Sequence, residues 1–548
     1  MKTVPLPPTF RALLLALCCS SAIAAPAEHK EFEATLHAPF KAPPDARRTF
    51  SLNFSYPGLE QTGTVYWKLE LVNPQGRVSQ VWRGSSALAN RDVPVQVAWD
   101  GRIEGKPAPA GLYRMRLRAI LRGAAGDAHE DEHAVEQDWQ IAVGAQPPQS
   151  MPRFAPLPGV RDMRDGATMA PATGSLPYTV YLANLHSQSN HSDGGAALDA
   201  CKGAQDPLKA KYGPEAAFAY ARGRGLDILA VSEHNHMYDG SDGTNLEANP
   251  ADAKALYKAG LASAAAFTAT KPGFLALYGM EWGVINNGGH VNIFNSDELL
   301  GWETNAKGEL MADTRTPRSD YAALYTLMRQ RGWVGQFNHP AHSGQFKVNG
   351  VPLAYTADGD EAMALCEVMN STAFSTNDSE TETRRSNFEQ ACNRLLEAGY
   401  HVAFSTNQDN HCANWGAAYT NRTGVLLPNG TALTRDAFVE AIKARRVFAT
   451  MDKTAQLVFT ANGKLMGERF ANRGPLTLTA HFASQAGKKV AAVSILAGVP
   501  GRNGLVSELA ASATHIFTPA PGQHFYYAKV TQEDGNVLWS APVWVTQE

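Results

Sequence analysis

At 548 residues, with 44% hydrophobic, 18% charged and 9% aromatic positions, the chain has the composition of ordinary globular protein. Its length suggests three or so domains of roughly 150 residues each, and its composition excludes a disordered or fibrous chain. A formal charge of −3, with no basic run longer than pairs such as Arg445-Arg446, argues against a nucleic-acid partner.

The first 25 residues stand apart. Lys2 and Arg11 flank a polar start, Ala12 to Leu17 form a short apolar run, and Ala22-Ile23-Ala24 offers a small-x-small cleavage site. Residues 1–25 therefore read as a secretory signal peptide. A lipoprotein anchor is the weaker reading, because Leu17 and Cys18 precede the cysteines where a small residue is expected. Cleavage would leave 47 basic against 52 acidic residues, a formal charge of −5. No later apolar stretch approaches the roughly 20 residues that span a bilayer, so a periplasmic or secreted protein without a membrane span is expected. Four cysteines remain, Cys201, Cys366, Cys392 and Cys412. An even number in an oxidising compartment favours disulfides, and three pairings are open.

Residues 28–144 alternate apolar and polar positions in short runs such as Thr49 to Phe54 and Val65 to Leu71, which predicts a β-sandwich. Within it, Ala98-Trp99-Asp100-Gly101 and Pro109-Ala110-Gly111-Leu112-Tyr113 resemble the signature of immunoglobulin-like modules related to flagellar hook-capping proteins. Such modules support or bind, so contact with a cell surface or polymer is the expected role. Residues 145–177 are rich in Pro, Gly, Ala, Met and Arg without apolar period and read as a linker.

From 178 to 450 the pattern changes to strand-like runs alternating with helix-like stretches. Strands are predicted at Tyr181–Leu185, Asp227–Val231, Phe274–Gly279, Trp333–Phe337, Leu365–Met369 and Val402–Ser405. Helices are predicted at Pro214–Arg224, Ala251–Ala269, Ser319–Arg331, Thr383–Ala398 and Arg435–Arg445. This alternation argues for an α/β domain with parallel strands and crossover helices. Residues 451–548 return to short alternating strands and predict a second β-sandwich.

Nine of the 16 histidines lie between His186 and His411, little more than an even spread would give. Position is more informative than number. Five apolar strands end in a ligand-type residue: His186, Glu233-His234, Glu281, His339 and Asp409-Asn410-His411. In a barrel of parallel strands such ends share one face. Singly, each is explained by an ordinary hydrogen-bonded group; jointly, so many buried ionisable groups without a cation would be costly. Imidazoles and carboxylates converging there suit Zn, Mn or Fe.

The ordered motifs resemble the PHP (polymerase and histidinol phosphatase) family across 178–450, half the chain. Where the family has Asp-Leu-His-x-His-Ser-x-x-Ser-Asp-Gly, this chain has Asn184-Leu185-His186-Ser187-Gln188-Ser189-Asn190-His191-Ser192-Asp193-Gly194. Gly225 to Asn235, Glu281, Gly289-His290-Val291, Asn338-His339-Pro340 and Asp409-Asn410-His411 match the later elements. The resemblance implies a distorted (β/α)7 barrel flanked by the two β-sandwiches, holding two or three divalent transition-metal ions. One metal would sit on His186 and Asp409 with Glu281 bridging, a second on Glu281, His290 and His339, a third on Asp193, His234 and His411. Asn184 and Gln188 depart from the family, and Gln188 would be a weak oxygen ligand at best. His191 and His236 are candidate catalytic groups beside the ligands, and His342 is expected outside the ligand set.

Because Cys412 follows His411 and Cys201 lies eight residues after Asp193, both implied ligands of one metal, the expected pairing is Cys201–Cys412 with Cys366–Cys392. The implied activity is hydrolysis of a small phosphomonoester or phosphodiester by a metal-activated water. Asn407, Gln408, Cys412 and Trp415, with Leu538-Trp539-Ser540, look like the carbaryl-hydrolase-like branch, so carbamate, ester or amide cleavage is the alternative. A binding protein with a degenerate site is the reading from another class. Serine-hydrolase elbows and P-loops are absent from the sequence.

Overall fold

The computed structural model describes residues 32–42, 47–56, 62–89, 92–123, 134–153, 176–284, 288–340 and 345–548. The expected signal peptide, most of the expected linker and His342 lie outside the described residues. With 43% strand against 15% helix the chain is mostly β, so the α/β class describes only its middle. No described helix is long and apolar enough to cross a membrane.

At the N-terminal side, a three-stranded sheet containing Glu33–His37, Arg48–Ser55 and Val93–Trp99 faces a four-stranded one built on Gly63–Val72 and Gly111–Arg122. Alternate residues such as Phe50, Leu52 and Phe54 enter one core with Leu69, Leu71, Met115 and Leu117, as the period of two requires.

The middle of the chain carries a large mixed sheet. Tyr178–Asn184, Ile228–His234 and Leu275–Val284 run parallel, and so do Gly335–Phe337, Met363–Ser371 and Ala403–Asn407. Between these two trios lies Gly289–Ile293, antiparallel to both neighbours. That strand breaks the regular strand-helix alternation expected of a (β/α)7 barrel, and its five residues carry too short a pattern to be seen in the sequence. The two outer strands meet at their ends: Asp409 N donates to His186 O (3.0 Å), and Gln188 N donates to Asn410 O (2.9 Å).

Every residue of Ile228–His234 is buried. Leu229 and Val231 join the core that holds Ala217, Phe218 and Tyr257, whereas Ile228 and Ala230 pack with Leu275 and Leu277. Continuing the alternation puts Ser232 and His234 on the face of Ile228, and Glu281, paired with His234 in register, on the face of Leu275. Helices Pro250–Thr270, Tyr321–Arg331 and Arg435–Lys443 are capped by Asn249, Asp320 and Thr434. The helix expected from Thr383 starts only at Glu389, because Arg385–Asn387 pairs as a strand with Met363–Ser371 and Gln137 accepts from Asn387 N.

Beyond Thr450 a four-stranded sheet contains Ala455–Ala461 and Leu476–Ser484. The facing strands are continuous with the large sheet, since Val447–Thr450 pairs with Val537–Ser540. Disulfides join Cys201 to Cys412 and Cys366 to Cys392, the expected pairing.

Candidate metal centre

Each implied ligand is buried, and all but Asp193 and His411 stand at or within two residues of a strand of the large sheet. His186 follows Tyr178–Asn184, His234 ends Ile228–His234, Glu281 lies late in Leu275–Val284, and His290 lies early in Gly289–Ile293. His339 and Asp409 come two residues after Gly335–Phe337 and Ala403–Asn407. Both have positive φ, +25° and +49°. Such backbone costs of order 1–3 kcal/mol per residue and persists where surrounding bonds over-determine it, commonly at functional sites. Asp193 lies in the loop before Gly195, whose φ is +80° and where a Cβ would stand 2.1 Å from Tyr212 O. Gly195 N donates to His411 O (2.8 Å), drawing Asp193 and His411 together.

Three groups have ligand atoms within 4.8 Å of one another: His186, Glu281 and His339; His234, Glu281 and His290; Asp193, His234 and His411. His339, expected with His290 and Glu281, shares the Oε1 of Glu281 with His290 and also groups with His186, and His234 belongs to the two other groups. Glu281 is the centre. Its Oε1 lies 3.0 Å from His290 Nδ1 and 3.3 Å from His339 Nε2, and its Oε2 lies 3.0 Å from His186 Nε2. Asp409 Oδ1 stands 3.0 Å from His186 Nε2 and 3.7 Å from His411 Nδ1. Asp193 Oδ1 is 3.3 Å from His411 Nε2 and 3.6 Å from His234 Nε2. A donor set of five imidazoles and three carboxylates at these separations fits borderline transition metals.

The electrostatics show how tightly these groups depend on one another. Burial alone would depress the His186 imidazole, but Asp409, Glu281 and Glu367 together hold it well above the usual range. His411 likewise overcomes burial and is pushed up to about 10, chiefly by Asp193. Burial would raise Glu281, yet His186, His290 and His234 hold its carboxyl well below the usual range. In each case the opposite charge of neighbours outweighs burial, and a bound cation would be a natural counter-charge for the carboxylates.

Supporting groups set the ring orientations. Glu367 Oε1 lies 3.3 Å from His186 Nδ1, and its Oε2 accepts from His339 N (2.8 Å). His411 Nδ1 lies 2.9 Å from Asp409 O. With these Nδ1 atoms engaged, the Nε2 atoms face the carboxylates, the usual second partner of a metal-ligating histidine. Glu367 escaped the sequence reading; its signal was a lone glutamate inside the wholly buried strand Met363–Ser371.

Gln188 donates from Nε2 to Glu281 Oε2 (2.6 Å), so its amide braces the shared carboxylate. Asn184 donates to Asn410 Oδ1 (2.9 Å) and accepts from Gln408 N (3.0 Å), tying strand ends together. His191 is turned away from the cluster: its Nδ1 lies 2.8 Å from Tyr278 Oη, on the opposite face of the strand from Glu281. Burial pushes its imidazole down to about 4. His236 stays close. It is buried, its ring is 5.7 Å from that of His234 and stacks on Trp302, and its Nε2 lies 3.6 Å from Asp242 Oδ1. A small cavity beside His339 and Asp409 is bounded by Phe32 and Glu33 of the N-terminal module, a contribution no local motif announced.

No family model and no curated protein matches the chain. Among solved structures, the chain is similar to the CARDB domain of the PF1109 protein from Pyrococcus furiosus at 12% identity, covering 21% of this chain and 90% of that one, with a TM-score of 0.15. It is similar to a β-glucuronidase of Bacteroides uniformis at 10% identity, covering 94% and 61%, with a TM-score of 0.16. A glycosyl hydrolase family 2 member from Bacteroides cellulosilyticus gives 11% identity, 95% and 79% coverage, and a TM-score of 0.17. Likenesses this weak carry no argument about activity.

Proposed function

We propose that this protein is an exported metal-dependent hydrolase of the PHP type that cleaves small phosphomonoesters or phosphodiesters. The observation that carries the proposal is Glu281, one carboxylate shared by two three-residue ligand groups, with Asp193, His234 and His411 forming a third beside it. His186, His290 and His339 would hold two ions with Glu281 between them; Asp193, His234 and His411 would hold another. When bound, such ions polarise a substrate oxygen and make water acidic enough to attack near neutral pH. The chain's own residues do the rest. Glu367 keeps His186 oriented, Gln188 and Asn338 fix Glu281 through bonds of 2.6 and 2.7 Å, and burial keeps bulk water from screening the charges. His236, next in space to His234, is the group placed to give the leaving oxygen its proton. Export is supported by the two disulfides.

The test is a panel of p-nitrophenyl phosphate, bis-p-nitrophenyl phosphate, p-nitrophenyl acetate and an aryl carbamate, run with Zn, Mn and Fe. Turnover is expected on the phosphoesters. Turnover confined to acetate or carbamate would replace the phosphoesterase reading with its ester-cleaving alternative.

A further inference from the structure

A cavity of about 510 Å3, lined by none of the implied metal ligands, lies where the N-terminal sandwich meets the C-terminal sheet. Phe40, Lys41, Arg48 and Trp99 line it from one side and Lys489 and Glu533 from the other. Arg48 opens the strand Arg48–Ser55 opposite Trp99 and is 4% exposed. Its Nη2 donates to Ala142 O (2.6 Å), and its guanidinium lies 5.9 Å from the Trp99 ring centre. Its Nε and Nη1 are buried and have no hydrogen-bond partner among the described residues.

Among the described residues no other arginine has two buried nitrogens in that state. Arg422, equally buried, donates to Glu380 and to three backbone carbonyls. Arg445 donates from all three nitrogens to His401 O, Lys443 O and Asp360 O. The acids on the wall beside Arg48 are already engaged. Glu533 faces Lys41 at 4.0 Å and accepts from Lys489 N (3.1 Å), and Asp100 Oδ1 accepts from Arg102 N (3.0 Å). A buried guanidinium with no counter-charge among the described residues is unfavourable, and an apolar side chain would fill the same space at less cost. An anion in the cavity would give that guanidinium a counter-charge.

We propose that this cavity binds a small organic anion, an oxyacid group on a planar apolar body, with the acid on Arg48 and the body against Trp99 and Phe40. The volume lies in the range of small-molecule sites, and Lys489 lines the cavity with Arg48, while Lys41 faces Glu533. Carboxylates and sulfonates share this chemistry.

Calorimetric titration of the full chain with benzoate, benzenesulfonate and neutral benzamide tests it. At least one anion is expected to bind, at least about tenfold more tightly than benzamide. Arg48→Met should abolish that preference and Arg48→Lys should restore part of it. Lys489→Ala, a change at the cavity's edge, should weaken the anion about two- to fivefold. Asp409→Ala should leave binding intact, which separates this site from the metal centre. The proposal is overturned if neither anion binds up to about 10 mM, or if Arg48→Met binds as tightly as the parent. It is also overturned if binding disappears with Asp409→Ala. Should Arg48→Met fail to fold, unchanged affinity in Lys489→Ala overturns it.

Discussion

At the scale of single residues, the account rests on Glu281 being shared and on the imidazoles being held for a cation. Glu281→Ala should therefore remove more bound metal than Asp193→Ala, which touches one group only, and elemental analysis of the two variants decides the order. Asp409→Ala and His339→Ala should each lower turnover about 100-fold or more, whereas His191→Ala, bonded to Tyr278, should change it less than about threefold. Protons give a second test. With His411 pushed up to about 10 and His186 well above its usual range, both imidazoles are protonated near pH 7.5 in the metal-free protein, and ligand nitrogens must shed them. Adding Zn in weak buffer at about pH 7.5 should release protons, and apparent affinity should rise with pH up to about 10. A dye-detected titration showing no release would contradict this. Most of these residues were legible because each ends an apolar run. Glu367 and Glu33 were not, since their roles come from neighbours distant in sequence, His186 and His339 in one case and Thr372, whose Oγ1 donates to it at 3.0 Å, in the other.

At the scale of elements, strand ends and the loops beyond them do the positioning, and a disulfide locks two of those loops. Ala196 and Cys412 form a parallel bridge, and Ala413 N donates to Ala196 O (2.9 Å) beside the Cys201–Cys412 bond. The bond spans 211 residues, against 26 for Cys366–Cys392. Chain entropy then assigns on the order of 5 kcal/mol to the first and about 3 to 4 kcal/mol to the second. Serine at both Cys201 and Cys412 should lower the unfolding midpoint more than serine at Cys366 and Cys392, and should loosen the metal of Asp193, His234 and His411. Calorimetry with metal analysis checks both, and the reverse order of midpoints would count against the locking role. Parallel strands were readable from their continuous apolar runs, as in Ile228–His234. The strand Gly289–Ile293 was not, because its pairing is set by neighbours on both sides rather than by its own pattern.

For the whole molecule, the outer modules are joined to the centre more closely than a string of domains would be. The C-terminal strands continue the large sheet through Val447–Thr450 and Val537–Ser540, and Phe32 and Glu33 of the first strand region border the cavity beside His339 and Asp409. Alternation in the sequence announced these outer strands, but hydrophobic period says nothing about which sheet a strand extends, so the continuity was not legible. The central claim is that the clustered ligands hold ions on which hydrolysis depends. Its most direct test strips the purified protein with a chelator and adds back Zn or Mn, following bound metal and bis-p-nitrophenyl phosphate turnover together. The account predicts two or three ions per chain, loss of turnover on stripping and recovery in step with reloading; full turnover in protein carrying less than about one-tenth of an ion per chain would contradict it.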